Sequence, residues 1–296
     1  MPNISGQDLY CWYREAKQAA IASKIDPGEV DWLLQTIADL SSLDLRLGTF
    51  RTQAQIQSQK TILELDRLWQ QRLKERIPVQ YLVETAFWRR FQLKVTSAVL
   101  IPRPETELII NLASEHNRIN GLNQHWVDLG TGSGAIALGL ADTFLNVTVH
   151  AVDLSTDALA IARLNAANIG LQNIHFYQGS WWNPLSFLQG KVTGMVSNPP
   201  YIPTAQIDEL QPEIAHEPRM ALDGGDDGLD DIRYLVKSAP QYLVPGGMWL
   251  IELMIGQADT VVELLQQQGE YEDIKTFADL NGIDRFVMAY HRLNLT

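Results

Sequence analysis

Between residues 5 and 76 the apolar positions recur at helical spacing. In "DPGEVDWLLQTIADL" (26–40), Val30, Leu33, Leu34 and Ile37 fall on one face, and in "ILELDRLWQQRLKERI" (62–77), Leu65, Leu68, Trp69, Leu73 and Ile77 do the same. Asp26 stands where an N-cap belongs, Pro27 at the first helical position and Glu29 three residues after the cap. The pattern predicts a small helical domain over residues 1–76. It carries no nucleophile, ligand cluster or glycine loop, so docking is its expected role. The stretch "IPVQYLVETAFWRRFQLKV" (77–95) is rich in aromatic and β-branched residues and predicts a connecting strand or hairpin.

From residue 96 onward the period changes. "HWVDLG" (125–130), "VTVHAVD" (147–153), "TGMVSN" (193–198), "GMWLIEL" (247–253) and "DRFVMAY" (284–290) are short apolar runs that suit buried strands. Helical patterns such as "TDALAIARLNAANIG" (156–170) separate several of them. Strand alternating with helix predicts an α/β domain over residues 96–296, a doubly wound, mostly parallel, Rossmann-like sheet.

Composition narrows the setting. The 296 residues are 46% hydrophobic, enough for a core of their own. Cys11 is the sole cysteine, which excludes an intrachain disulfide or a thiolate metal cluster. No run approaches the roughly 18 apolar residues of a membrane span, and the first residues lack the apolar core of a signal peptide, so a cytoplasmic protein is expected. The formal charge of −12 is unevenly spread: residues 1–90 carry 12 Lys and Arg against 11 Asp and Glu, and residues 91–296 carry 11 against 24. An acidic α/β domain repels a phosphate backbone and disfavours direct nucleic-acid binding.

Candidate chemistry lies at the ends of the apolar runs. "VDLGTGSGAIALGLA" (127–141) sets Gly130, Thr131, Gly132, Ser133 and Gly134 between a strand and a helix, where backbone amides can approach a ligand. Asp153 ends the next run, where a carboxylate can accept hydrogen bonds from ribose hydroxyls. These features predict a nucleoside site, and the glycines alone fit either a dinucleotide or S-adenosylmethionine, because Gly130, Gly132 and Ala135 also satisfy the dinucleotide fingerprint.

The balance is tipped by "MVSNPPYIP" (195–203), in which Asn198, Pro199, Pro200 and Tyr201 follow a buried run. An amide or exocyclic amine nitrogen is a poor nucleophile because its lone pair is delocalised. The Asn198 side-chain oxygen and the Pro199 carbonyl can each accept a hydrogen bond from such an NH2 group and favour the positive charge it gains. Two prolines restrict the backbone, and Tyr201 offers a flat face. No strong base is required before attack, since the methylated nitrogen is far more acidic. No metal site is expected. In "IPRPETELII" (101–110), Pro104 and Glu105 suit the first turn of a helix, and Arg103 is expected to order the wall of the site.

Six stretches carry a family resemblance: "VLIPRPETE" (99–107), "VDLGTGSGAIALGLA", "AVDLSTDALAIARLNA" (151–166), "VSNPPYI" (196–202), "HEPRMALDGGDDGLDDIR" (216–233) and "LVPGGMWLIE" (243–252). In order and spacing the sequence resembles the release-factor glutamine N5-methyltransferases, the HemK or PrmC family, a branch of the class I S-adenosylmethionine-dependent enzymes. The resemblance implies methyl transfer to the glutamine of the Gly-Gly-Gln motif of peptide chain release factors, and a monomer that binds neither nucleic acid nor membrane is expected. It also implies that Gly130 to Gly134 hold the methionine end of the donor, Asp153 the ribose and Trp181 the adenine surroundings. Asn198, lining the donor site, would receive the glutamine amide together with Pro199, Pro200 and Tyr201. Ser180, where the family usually has Asp, Met254, where it has Gly, and Glu84 and Arg90 in the connecting hairpin depart from its pattern. Two other readings share parts of this sequence: an adenine N6-methyltransferase acting on nucleic acid, and a methyltransferase-like binding protein without turnover.

Overall fold

In the computed structural model, which describes residues 1–119, 121 and 123–293, the chain divides into two units. The first comprises Met1–Thr85 with Pro212–His216, the second Ala86–Gln211 with Glu217–Thr296. Among the described residues no helix is long and apolar enough to cross a membrane.

The first unit is helical. A two-residue strand β1 (Asn3–Ile4) pairs antiparallel with β2 (Ile56–Gln57), and around them lie α1 (Gly6–Ala22), α2 (Gly28–Ile37), α3 (Ser42–Leu47), α4 (Ile62–Glu75) and α5 (Val79–Leu82). Leu9, Leu33, Leu34, Phe50 and Trp69 fill its core. Helix α2 starts one residue later than the sequence pattern implies, and the Asp26 carboxylate still accepts the Gly28 N–H at 2.8 Å. Glu29 does not reach back to close a capping box. It grips the buried Arg72 instead, accepting from Nε at 2.6 Å and Nη2 at 2.7 Å, because two aligned N–H donors hold a carboxylate better than one backbone amide. A reciprocal box does form at α4, between Thr61 and Glu64.

Arg76 ends α4 in the left-handed region at φ 61°, so Ile77 lies beyond the helix. Residues 79–82 form a helical turn, with the Pro78 carbonyl accepting from the Tyr81 and Leu82 amides at 3.0 and 3.3 Å. The expected hairpin is thus confined to β3 (Thr85–Trp88) and β4 (Phe91–Lys94). The short segment Pro212–His216 joins this unit through Glu213, which accepts from Arg72 at 2.9 Å and from Arg76 at 2.7 Å.

The second unit is an α/β sandwich. Its strands are β5 (Gln124–Leu129), β6 (Val147–Asp153), β7 (Ile174–Gln178), β8 (Val192–Ser197), β9 (Leu243–Glu252), β10 (Tyr271–Ala278) and β11 (Asp284–His291). Its helices are α6 (Glu107–His116), α7 (Ala135–Thr143), α8 (Thr156–Ile169), α9 (Asp230–Ser238) and α10 (Ala258–Gln268). The sheet order is β10-β11-β9-β8-β5-β6-β7, parallel from β9 to β7, with β11 antiparallel to both its neighbours.

Side chains alternate across this sheet. Trp126, Met248 and Leu250 enter the core shared with α6 and α7, whereas Val127, Trp249 and Ile251 enter the core shared with α9 and α10. Both faces are therefore dry, which is why β5, β8 and β9 read as nearly unbroken apolar runs. The chain leaves β5 toward β6 on one side and returns as β8 on the other. That reversal opens a crevice at the carboxyl ends of the two strands.

Candidate active site

The crevice is a cavity of about 280 Å³ built entirely from the second unit. Gly130 and Gly132 enter from the turn after β5, Asp153 from the end of β6, Ser180 and Trp181 from the turn after β7, and Asn198 and Pro200 from the turn after β8. The Ser197 hydroxyl donates to the Leu129 carbonyl at 2.6 Å, which ties the ends of β8 and β5 together beside it.

The glycine loop is folded by its own polar groups. The amides of Gly130 and Thr131 both donate to the Val152 carbonyl at 2.9 Å. The Thr131 hydroxyl turns inward and donates to the Asp128 Oδ2 at 2.6 Å, and the Ala137 amide donates to the same oxygen at 3.0 Å. Thr131 thus spends its side chain on the loop's own fold, and both it and Ser133 are buried. Gly132 has φ +53°, and a Cβ there would meet nothing within 4 Å: the space beside it is left open toward the cavity.

Carboxyl groups gather at this end of the sheet, and two of them, Asp153 and Asp231, line the cavity. Asp153 accepts the Gly132 amide on Oδ2 and the Ser155 amide on Oδ1, each at 2.8 Å, which leaves both oxygens capacity for hydroxyl donors. Burial raises its carboxyl above the ordinary range against the pull of those amides. Asp128, fully buried, is pushed up to about 7 by desolvation, and its Oδ1 has no hydrogen-bond partner among the described residues. Trp181 holds a left-handed backbone at φ 50° and donates from Nε1 to Asp231 at 3.2 Å. A non-glycine residue held there has a strained backbone, and such strain concentrates at ligand sites. Its neighbour Trp182 points the other way, stacked on Tyr242 at 4.3 Å in the core.

Asn198 lines the cavity and donates from Nδ2 to the Thr106 hydroxyl at 3.3 Å. Pro199 is buried beside it, whereas Tyr201 is turned away from the cavity lining, its hydroxyl donating to the Glu252 Oε1 at 3.4 Å. Burial, with Glu252 next, pushes the Tyr201 phenol well above its ordinary range, so it stays protonated. The turn is clamped from behind by the glycine-rich stretch 222–229. The Ile202 amide donates to the Leu222 carbonyl and the Gly224 amide to the Ile202 carbonyl, each at 2.9 Å, and Gln257 Nε2 donates to the Tyr201 carbonyl at 3.0 Å. A Cβ on Gly228, at φ +77°, would stand 2.3 Å from that carbonyl. Gly228→Ala is therefore expected to lower stability by about 1–3 kcal/mol through backbone strain and displacement of Tyr201, read as a reduced midpoint in urea unfolding.

Four contributors were not singled out from sequence. Thr106 precedes α6, which starts at Glu107 and not at Pro104. The hydroxyl that would have capped that helix donates to Glu252 at 2.6 Å instead. Glu252 ends β9 and Asp231 opens α9. Glu217 is buried and accepts from Arg103 Nη2 on both oxygens, at 2.7 and 2.8 Å, joining residues 100–103, of which Leu100 lines the cavity, to the wall formed by Pro218, Met220 and Ala221. Of the departures from the family pattern, Ser180 lines the cavity, Met254 donates its amide to Gln257 Oε1 at 3.0 Å, and Arg90 pairs with Asp142 at the surface.

The residues fit S-adenosylmethionine: a turn that opens backbone space beside the loop, an acidic group at the end of β6, an indole wall and carboxylates suited to a cation. Among the described residues no cluster suits a metal ion.

Residues 105–226 match the family described as Methyltransferase small domain. The chain is 54% identical over 291 residues to the release factor glutamine methyltransferase of Synechocystis sp., covering 97% of each chain. It is 43% identical over 290 residues to that of Thermosynechococcus vestitus, covering 97% of this chain and 99% of the relative. Among solved structures, the delta-N METTL16 MTase domain has the same fold, with a TM-score of 0.51 at 16% identity over 68% of this chain and 89% of the other.

Proposed function

The chain belongs to the release factor glutamine methyltransferase family, and on that premise we propose that Asn198, Pro199 and Pro200 receive the side-chain amide of a release-factor glutamine beside the cavity, on a turn that Tyr201 braces. The reaction is methylation of the glutamine N5, and S-adenosylmethionine is the methyl donor. When bound, it supplies an electrophilic methyl group on a cationic sulfur. The observation that carries the reading is the shared cavity: Asn198 lines the same space as Gly130, Gly132 and Asp153.

In this reading Asp153 orients the ribose, Gly130 to Gly134 accommodate the methionine end, and Trp181 walls the adenine. The Asn198 oxygen and the Pro199 carbonyl accept from the glutamine NH2, which fixes the nitrogen and stabilises it as it becomes positive. Tyr201 supports the turn from behind. The substrate is the Gly-Gly-Gln glutamine of a peptide chain release factor, and the enzyme acts as a cytoplasmic monomer on protein and not on nucleic acid. Incubation with labelled donor and, side by side, a release factor, DNA and RNA tests the choice. Label is expected in the protein alone, and transfer to adenine would favour the rival chemistry.

We assign docking of the protein substrate to the helical unit, residues 1–76, and to the acidic surface of the α/β unit. The net charge of residues 91–296, 11 basic against 24 acidic, suits a basic partner. Raising ionic strength is expected to slow association with the release factor by roughly tenfold while donor affinity stays level. Salt is a cleaner test than truncation, because removing residues 1–76 would strip Arg72 and Arg76 from Glu213. A salt-independent association rate would confine recognition to the glutamine pocket.

A further inference from the structure

Behind Asn198 runs a chain of hydrogen bonds whose direction is dictated by its last member. Glu252, 2% exposed at the end of β9, accepts from the Thr106 hydroxyl at 2.6 Å and from the Tyr201 hydroxyl at 3.4 Å. An ionised carboxylate only accepts, so the single proton of Thr106 is committed to Glu252. The Thr106 oxygen is left as an acceptor, and only the NH2 end of the Asn198 amide can satisfy it, as the 3.3 Å contact has it. The carboxamide oxygen must then face the other way.

We propose that Glu252, acting through Thr106, is a positioning residue that fixes which end of the Asn198 carboxamide is offered to the substrate nitrogen. The inference rests on the reading of Asn198 as the acceptor for the glutamine amide. That amide presents donors, so an Asn198 turned to offer NH2 would face them with another donor. Asparagine is symmetric in shape, and rotation exchanges its ends without steric cost. The orientation therefore has to be enforced chemically, and a buried acceptor-only group two bonds away does so without touching substrate.

Protonation of Glu252 would undo the arrangement. Its O–H could donate to Thr106, freeing the Thr106 proton for the Asn198 oxygen. Burial raises this carboxyl to about 7, with Thr106, Arg285 and Tyr201 pulling it down and Glu105 pushing it up. Arg285 faces it from β11, Glu105 and Thr106 from the segment before α6, and Tyr201 from the turn after β8. At saturating donor, where titration of Asp128 and Asp153 matters least, kcat is expected to rise with pH through about 7 as Glu252 ionises.

Four variants test this in single-turnover and steady-state assays with a release factor. Glu252→Gln, which can both donate and accept, should lower kcat at pH 8 by about 10- to 100-fold with little change in KM, the loss expected when one partner of a buried hydrogen bond is removed. It should also flatten the profile between pH 6 and 8. Thr106→Val should lower kcat similarly, and Thr106→Ser should recover most of that loss, since it restores the hydroxyl. This pair reads the relay even if the buried glutamine destabilises the fold. If Asn198→Ala is slow while Glu252→Gln and Thr106→Val keep the wild-type kcat and pH profile, the relay is wrong and the acceptor reading stands. If Asn198→Ala itself transfers at the wild-type rate, the acceptor reading fails and the relay with it.

Discussion

Asn198→Ala is expected to slow methyl transfer by about 10² to 10³, roughly 2.7–4 kcal/mol, by analogy with loss of one preorganised group at an oxyanion. The effect should fall on the chemical step. The glutamine nitrogen gains positive charge only as the methyl arrives, so the bond it donates to the Asn198 oxygen is stronger in the transition state than in the ground state. The fold should survive, because Asn198 is half-buried at a strand end and, among the described residues, its side chain has one bond, to Thr106. Donor affinity should change little. Asn198→Asp keeps an acceptor of similar size and should retain partial activity. Yet a carboxylate has no N–H to give Thr106, whose proton is held by Glu252, so two acceptor oxygens would meet there. Single-turnover kinetics at saturating S-adenosylmethionine isolate the step.

The second large effect is expected at Asp153. Asp153→Ala removes the acceptor of the Gly132 and Ser155 amides together with the proposed partner of the ribose hydroxyls. Loss of a charged hydrogen-bond acceptor costs on the order of 1.5–3 kcal/mol, or about 10- to 150-fold in the Kd of the donor. Here the kcat at saturating donor should suffer less than the Kd, the reverse of Asn198→Ala. Because burial raises the Asp153 carboxyl, donor affinity should weaken on acidification sooner than an ordinary carboxylate would allow. Calorimetry on the two variants separates binding from chemistry. An unchanged Kd for Asp153→Ala would remove this residue from the site.

The parts of this architecture that were legible in the sequence are those governed by burial on both sides. β5, β6, β8, β9 and β11 read directly as apolar runs because helices cover both faces of the sheet. β7 and β10 did not. They are the edge strands, and "IHFYQ" and "YEDIKTFA" carry exposed polar positions that blur the apolar signal. Local rules were overridden where a tertiary partner competed: Glu29 turned to Arg72, and Thr106 to Glu252, in preference to a helix end.

The same distinction runs through the site. Gly130, Gly132, Asp153, Trp181, Asn198 and Pro200, all named from sequence, line one cavity, since each follows a strand whose carboxyl end faces the crevice. Thr131 and Tyr201 stand in the same turns with their side chains directed elsewhere, a matter of backbone geometry that letters do not specify. Glu252 was hidden for a different reason. In "GMWLIEL" it reads as the polar end of a strand, and its tie to Thr106 spans 146 positions. Only the folded chain brings the acidic end of β9 behind the asparagine of β8.

Methylation of a release-factor glutamine held by Asn198 is the reaction proposed for this site. Its most direct test is to incubate the enzyme with isotopically labelled S-adenosylmethionine and a purified release factor, then digest the product and map the label by mass spectrometry. The account predicts one added methyl group on the glutamine side chain of the Gly-Gly-Gln peptide, formed by the wild type and lost in proportion to rate by Asn198→Ala. Label on another residue, or equal labelling by Asn198→Ala in a single turnover, would contradict it.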